Sequence, residues 1–545
     1  MSSSSASLAP FKHPTFRAVW IASLASNFGS LIQTVGAAWM MTLIASSADM
    51  VALVQASTAL PIMLFSLVSG AIADSFDRRK VMLLAQSFML VVSVALALTA
   101  YSDVMTPWLL LAFTFLIGCG TALNNPSWQA SVGDMVPRSD LPAAVALNCM
   151  SFNMTRSVGP AIGGLIVAAF SAGVAFVINA VSYIPILFVL FRWKAPERNH
   201  MLPRETLGAA ILAGLRYVAM SPNIEKVLLR GFAFGFAAVA ILALLPLVSR
   251  DILGGDALLY GVLFGAFGVG AVVGALVSAR LRQTFSSEWI VRAGFVGFGS
   301  CAILLAISPY AWLSLIALLV GGACWVINLS LFNITVQMST PRWVVGRALS
   351  LYQTATFGGM ALGGWVWGLS AEVYNPSSAL LLAGFTMFFG AMLGLGRMAL
   401  PALPDLNLDP ANRWKAPEVE LDIKPRSGPV KIMIEYTIRE KDVPLFMEMM
   451  NERRRIRRRD GARNWSLMRD MEHHERWVEA YHLPTWLDYV RYNQRMTNAD
   501  VLIGDNIRRL HAGPDAPRVW RMIQRPTDRR YPTDGLPKDI VDLHQ

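Results

Sequence analysis

Apolar positions in this chain come in long runs as far as Arg397, and only beyond that point do they shorten into alternating stretches. Twelve runs, at about 16–44, 50–73, 80–101, 107–130, 142–168, 172–192, 224–249, 257–280, 288–307, 310–337, 344–371 and 377–397, suit membrane-crossing helices. Such a helix takes roughly 20 apolar residues to cross a bilayer core of about 30 Å. The pattern therefore predicts an all-α polytopic membrane protein with twelve transmembrane helices in two six-helix, pseudo-symmetric halves. Beyond a Pro-rich stretch the period changes to two: Val430, Ile432, Ile434, Tyr436 and Ile438 alternate with polar or flexible residues, which predicts a strand. A helix with Val443, Phe446, Met447 and Met450 on one face follows, then a hairpin around Trp465–Met471 and Trp477–Leu483. A helix from Trp486, a further turn or two over Val501–Leu510 and a strand at Arg518–Ile523 complete a β-α-β-β-α-β order, which is ferredoxin-like.

The expected organisation is an N-terminal cytoplasmic segment (1–15), a six-helix half (16–193), a charged connection (194–222), a second half (223–398), a Pro-rich linker (399–429), an α+β domain (430–525) and a flexible tail (526–545). Within the connection, Thr206–Val218 reads as an amphipathic surface helix. About 95 residues make a small core for the α+β domain, so a homodimer formed through it would add burial. The halves echo each other at an offset of about 200. Met135-Val-Pro137-Arg138 leads into Gly163-Gly164, and Ser339-Thr-Pro341-Arg342 leads into Gly363-Gly364. Parallel repeats of this kind belong to secondary transporters.

Composition sharpens this picture. Hydrophobic residues make up 54% of the chain and charged residues 15%, against about 25% charge in soluble domains. The net charge is +11, and its placement matters more than its size. Connections after even-numbered runs carry Arg78, Arg79 and Lys80, then Arg138, then Lys194, Arg198, Arg204 and Arg216, then Arg280 and Arg282, then Arg342 and Arg347. The opposite connections are nearly free of basic residues, Asp103 being the one charge in the second of them and Arg250 the exception. This asymmetry places both termini in the cytoplasm, with the chain a multi-pass protein of the inner membrane. Cys119, Cys149, Cys301 and Cys324 lie in apolar runs and read as buried thiols that report no redox compartment.

Two motifs stand out. Gly70-x-x-x-Asp74-x-x-Asp77-Arg78-Arg79-Lys80 follows the second run. Asp74 there can face a helix N-terminus, whose exposed N–H groups attract an anion. Arg78 and Arg79 can pair with it or with other acids at that end, latching the halves together until they separate. In the fifth run, Asn153-x-x-Arg156-x-x-Gly159-Pro160-x-x-Gly163-Gly164 combines close-packing glycines with a proline bend. Arg156 stands past the bilayer centre with no carboxylate in reach, which leaves two readings: it meets an anionic or hydrogen-bond-accepting substrate, or it is satisfied by backbone carbonyls. Arg230 reads as a snorkelling interface residue. Asn27, Gln33, Asn124, Asn125, Gln129, Asn148, Asn179, Asn328, Asn333 and Gln353 are candidates to line a cavity for an uncharged or anionic, hydrogen-bond-rich solute. Asp134 is the candidate proton-relay acid. In the tail, Arg453–Arg459 reads as a solvated helix face rather than a nucleic-acid contact, and His473-His474 with Glu472 and Glu475 as a hairpin turn rather than a metal site. No cofactor or metal is expected.

The Gly70–Lys80 loop resembles the signature loop of the major facilitator superfamily, with aspartate at 77 where the family usually has a nearby glycine. The Asn153–Gly164 stretch is similar to its antiporter signature, with Thr155 in place of the leading glycine. With Ser26-Asn27-x-Gly29, Gln33 and Trp39, residues 10–398 resemble the transmembrane secretion effector branch, which includes enterobactin exporters. The tail resembles the dimeric α+β barrel domain appended to many members, similar in outline to antibiotic-biosynthesis monooxygenases. The resemblance implies alternating-access export of a siderophore or drug-like compound, with membrane lipid, a small-molecule substrate and protons as partners. Uptake on the same fold, or a sensing or oxygenase role for residues 430–525, are the rival readings. The tail shows no cofactor motif and no nucleophile–base pair, and the chain is expected not to be an enzyme.

Overall fold

A computed structural model describes residues 9–102, 104–137, 140–194, 207–341, 343–396, 398–400, 407–411, 413–421 and 423–524. The side chains of Asp74, Ser75, Pro142, Ala146, Cys149, Asn153 and Leu207 lie outside the described set. So do Asp103, Arg138, Arg198, Arg204, Arg342 and the expected tail from 526.

Helices occupy all twelve expected positions. In the first half they are α1 (Pro14–Ile44), α2 (Ala48–Ser75), α3 (Arg78–Tyr101), α4 (Pro107–Met135), α5 (Leu141–Ala169) and α6 (Ala172–Arg192). After a short helix, α7 (Leu207–Ala219), come α8 (Pro222–Leu247), α9 (Ala257–Thr284), α10 (Ser287–Ile307), α11 (Ala311–Met338), α12 (Val345–Val373) and α13 (Pro376–Met392). Many of the helices begin on a polar cap. Asp77, Thr106, Ser171, Asp256, Ser286 and Asn375 each accept a backbone N–H of the first turn, satisfying donors that lipid cannot. Among the described residues, 10 helices are long and apolar enough to cross a membrane. The other two at expected positions, α5 and α12, are 29 residues each.

Glycine governs their packing. On α5, a Cβ at Gly163 would come within 3.1 Å of Val35 on α1, and one at Gly164 within 2.7 Å of Gly261 on α9. On α12, Gly363 lies against α8 and a Cβ at Gly368 would come within 2.7 Å of Ala52 on α2. Because α5 and α12 are equally long and start at Leu141 and Val345, the halves correspond at an offset of 204, not 200. Gly159 then matches Gly363, and Gly164 matches Gly368. The echo of Gly163-Gly164 in Gly363-Gly364 is displaced by one helical turn.

The second half is filled by aromatic rings. Phe234 has Phe295, Phe298, Trp325 and Phe332 around it at centroid distances of 5.1, 5.6, 5.9 and 6.4 Å. Arg230 does not snorkel. It is fully buried, donates to Glu288 at 3.3 Å and lies 5.3 Å from the Phe295 ring centre. The pairing acid sits in the first turn of the neighbouring α10, a cross-helix proximity that spacing along one helix does not show.

A second compact unit comprises residues 212–222, 338–345 and 404–545. Its sheet has the antiparallel order β2-β3-β1-β4, from β1 (Val430–Thr437), β2 (Arg463–Arg469), β3 (Arg476–Leu483) and β4 (Val519–Ile523). The helices are α14 (Val443–Arg459), α15 (Trp486–Gln494) and α16 (Asn498–Leu510). The expected turn or two at Val501 is a full helix, opened by a capping box of Thr497 and Asp500. The core joins Ile432, Tyr436, Phe446, Met450, Tyr481, Tyr492 and Ile507. Part of the expected linker packs onto this unit: Ala411 N donates to Met496 O at 2.9 Å, and Trp414 meets Tyr489 edge-on at 5.9 Å. Tyr217 of α7 packs on Trp343, and Arg459 lies over Tyr217 at 4.9 Å.

The arginine run is not one solvated face. Arg454, Arg455 and Arg458 are exposed, whereas Arg453 and Arg457, one turn apart, reach inward to the buried Glu479 at 2.9 and 3.0 Å. Burial alone would raise the Glu479 pKa, but the two guanidiniums outweigh it and lower the carboxyl to about 2.

Candidate functional site

A cavity of about 670 Å³ is lined by the first half and by Gln337 of α11 in the second. It lies toward the end of the bundle that carries the Arg78–Lys80 loop, here called the basic end, since Trp20, Met82, Val132, Val145 and Leu190 line it close to that end of their helices. Five of the expected amides, Asn27, Asn124, Asn125, Gln129 and Asn148, come together on its wall. Sequence reasoning missed Trp20, Trp128 and Gln337. It also missed Gln86, whose amide donates to Asn124 Oδ1 at 3.3 Å. Gln86 stands in an apolar run just as the other amides do, and the same criterion identifies it. The two indoles fall one or two turns from Asn27 and Asn124 on their own helices, on the same face. The wall carries amides, hydroxyls, indoles and apolar groups, and no ionised side chain among the described residues.

Other expected positions lie elsewhere. Gln33 accepts a hydrogen bond from Asn179, which also reaches Ser93 at 3.3 Å, and this buried cluster ties α1, α3 and α6. Gln33 lines a second cavity of about 270 Å³, to which Phe357 and Met360 of α12 also contribute. Asn328 is fully buried, and neither of its amide atoms finds a hydrogen-bond partner. Asn333 accepts from Gln337, and Gln353 is half-buried on α12; neither lines these two cavities.

Arg156 lines neither cavity. Its guanidinium lies 5.6 Å from the ring centres of both Phe267 on α9 and Trp325 on α11. Two rings of the second half thus hold a cation of the first, with no acid paired to it among the described residues. Each such contact contributes up to about 2 kcal/mol when desolvated. Gly268 sits against the backbone of Arg156 and Ser157.

In the Gly70–Lys80 loop, the Asp77 side chain caps α3 by accepting from Arg79 N at 2.9 Å. Arg78 donates to Ala73 O at 3.2 Å and pairs with Asp134 at the end of α4 at 3.3 Å. Arg79 donates to Leu190 O and Phe191 O at 2.8 and 2.7 Å, closing the last turn of α6. Lys80 is exposed. Among the described residues, the partners of the two arginines all lie in the first half, where they bind α2, α3, α4 and α6 together. Asp134, the candidate relay acid, is the partner of Arg78. Cross-half contact at this end comes instead from Ser66, which meets Thr354 at 2.8 Å, with Gly70 beside Ser350. At the opposite end the halves meet repeatedly. Arg250 donates to Thr42 O, Ala48 N donates to Glu372 at 2.6 Å, and Trp39 stacks on Tyr260 at 6.3 Å. The one basic residue that broke the charge asymmetry thus has a structural role.

A profile described as Transmembrane secretion effector matches residues 5–530. The chain belongs to that family. This makes it a multi-pass membrane transporter of the major facilitator superfamily. Among curated relatives, the enterobactin exporter EntS of Salmonella typhi is 26% identical over 389 residues, covering 70% of this chain and 91% of that protein. EntS of Escherichia coli O1:K1 / APEC is 25% identical with the same coverage. Among solved structures, a bacterial homolog of the human lysosomal transporter Spinster, inward-facing and unoccupied, aligns with TM-score 0.55 at 15% identity over 71% of this chain and 95% of its own. The nucleoside transporter NupG aligns with TM-score 0.55 at 13% identity over 70% and 98%. Both likenesses concern the secretion effector's fold alone. The family profile, unlike these alignments, runs through the α+β unit to residue 530.

Proposed function

We propose that this transporter exports a small, hydrogen-bond-rich organic molecule of the siderophore or drug-like kind, by alternating access driven by the proton gradient. Both termini are cytoplasmic in this reading, so the basic end faces the cytoplasm. The observation that carries it is the amide-lined cavity of about 670 Å³ placed toward that end, where the halves also touch at Ser66 and Thr354, while they meet repeatedly at the other. Such an arrangement takes up cargo from the cytoplasm. Amides and indoles without ionised groups suit a solute recognised by hydrogen bonds and stacking. The EntS relatives are named as exporters, and proton coupling follows the superfamily resemblance.

The residues then take these roles. Asn27, Asn124, Asn125, Gln129 and Asn148 contact cargo. Arg78 and Arg79 make the first half one rigid body, and Asp134 is the group whose protonation releases Arg78. The glycine seams of α5 on α9 and α12 on α2 are where the halves rock, and Arg156 is the cross-half anchor. Gly70 and the Asp74 loop gate the basic end; the Asp74 and Asn153 side chains lie outside the described residues.

Two measurements test this. Metabolite profiling of medium from cells with and without the protein should reveal a compound retained inside the deletion strain. Reconstituted vesicles of fixed orientation should then accumulate that compound only against an imposed proton gradient. Accumulation in the uptake direction, or transport indifferent to the gradient, would overturn direction or coupling respectively.

A further inference from the structure

The α+β unit contains its own cavity of about 300 Å³, lined among others by Trp414, Tyr481, Tyr489 and Tyr492 and by the guanidiniums of Arg453, Arg457 and Arg521. The balance of donors and acceptors in and behind its wall is unequal. Glu479 is fully buried and saturated: it accepts from Arg453 Nε at 2.9 Å, Arg457 Nε at 3.0 Å, Trp465 Nε1 at 3.0 Å and the Tyr436 hydroxyl at 3.3 Å. One carboxylate therefore answers two buried cations. Arg457 spends Nη1 on the Tyr492 hydroxyl at 2.6 Å, and Arg521 spends Nε on the Tyr489 hydroxyl at 2.8 Å.

Among the described residues, Nη1 and Nη2 of Arg453, Nη2 of Arg457 and both Nη groups of Arg521 find no acceptor. Glu479 lies behind the wall, and the two acids that do line it are engaged: Asp500 with Arg459 at 3.1 Å, and Asp505 with Arg413 and Arg508 at 3.4 and 3.2 Å. An arginine 6% exposed with a donor to spare, in a cleft carrying surplus positive charge, suits an anion. Planar guanidinium forks match a carboxylate, and the four aromatic side chains suit a flat ring.

We propose that this cavity is a binding site for a small aromatic carboxylate, separate from the cargo cavity of the helical bundle. It does not depend on the direction or coupling of transport. A ligand of one or two rings fits the volume. The carboxylate takes the free Nη groups of Arg453 and Arg457, while the ring lies among Tyr481, Tyr489 and Trp414. Arg521 supplies a further donor at the exposed side. Such a site gives the appended unit a sensing role.

The test uses the full-length protein in nanodiscs, with salicylate as probe and salicylamide as its neutral counterpart, followed by calorimetry and tryptophan fluorescence. Salicylate should bind at one site per chain, more weakly as salt is raised, and at least tenfold tighter than salicylamide. Arg453→Gln should weaken it tenfold or more. Arg521→Gln, which leaves the Glu479 cluster intact, should weaken it several-fold and reports even if the Arg453 variant fails to fold. Asn124→Leu in the bundle should leave salicylate binding unchanged. Absence of binding, equal binding of the amide, retention in Arg521→Gln at full affinity, or loss in Asn124→Leu would each overturn the proposal.

Discussion

Two arginines in this molecule are enclosed by aromatic rings, and their surroundings differ in one respect. Arg156 in the helical bundle lies between Phe267 and Trp325 and has no paired acid among the described residues. Arg457 in the α+β unit lies 4.4 Å from the Tyr481 ring centre and also holds Glu479. In water-facing units a buried cation without a counter-ion is costly enough to select against, and the fold supplies Glu479. In a membrane protein a charge at depth is retained where it serves the cycle. The lesson is that partner count separates the two: Arg457 holds a carboxylate within the core of its unit, whereas Arg156 joins the two halves through ring faces alone.

The largest effect that would break this contrast is at Arg156. Arg156→Ala should reduce transport in vesicles to background while the amount of inserted protein, measured by membrane fractionation, stays as in the parent. Arg156→Lys should recover part of it, because an ammonium still attracts the ring faces but lacks the planar fork. Parental transport in Arg156→Ala would make the residue dispensable and erase the distinction.

Next in size is the other side of the comparison. Glu479→Gln leaves two guanidiniums buried without a counter-charge, which should cost about 3–5 kcal/mol. Thermal unfolding followed by protease sensitivity near residues 430–523 should show it. The same group sets a pH dependence. Its folded pKa is lowered to about 2, below the ordinary glutamate value of 4.5. Its contribution is therefore complete above about pH 4.5 and lost as the pH falls toward 2, by about 3 kcal/mol in all. Acid titration of stability should show this slope in the parent and not in Glu479→Gln.

Much of this was legible in the chain, and the exceptions share a cause. Periodicity places the helices because lipid demands long apolar runs, and alternation places β1 because one face of it is buried. Five amides of the cavity were visible because a polar group inside such a run is costly without a purpose. Partners on other elements were not visible. Glu288 beside Arg230, Glu479 beside Arg453 and the ring pair around Arg156 are juxtapositions that packing creates, and local spacing carries no trace of them. The Arg78–Arg79 pair illustrates the same point, since its charges marked the loop correctly while its acceptors proved to be helix ends of its own half.

The smallest effect tests whether the contrast extends to uncharged groups. Asn124 and Asn328 occupy matching positions on α4 and α11 at the offset of 204. Asn124 accepts from Gln86 and lines the large cavity, while Asn328 is sealed in with both amide atoms unpartnered. An unsatisfied buried amide destabilises by about 1–3 kcal/mol, so a leucine of similar volume should remove that cost. Asn328→Leu should raise the melting temperature of the purified protein by a few degrees, corresponding to about 1 kcal/mol, if the site is dry in every state of the cycle. Asn124→Leu should leave the melting temperature near the parental value and weaken cargo affinity about tenfold. If instead Asn328→Leu slows transport, then this asparagine meets cargo or water when the halves rearrange, and the second half has a polar role that its present packing conceals.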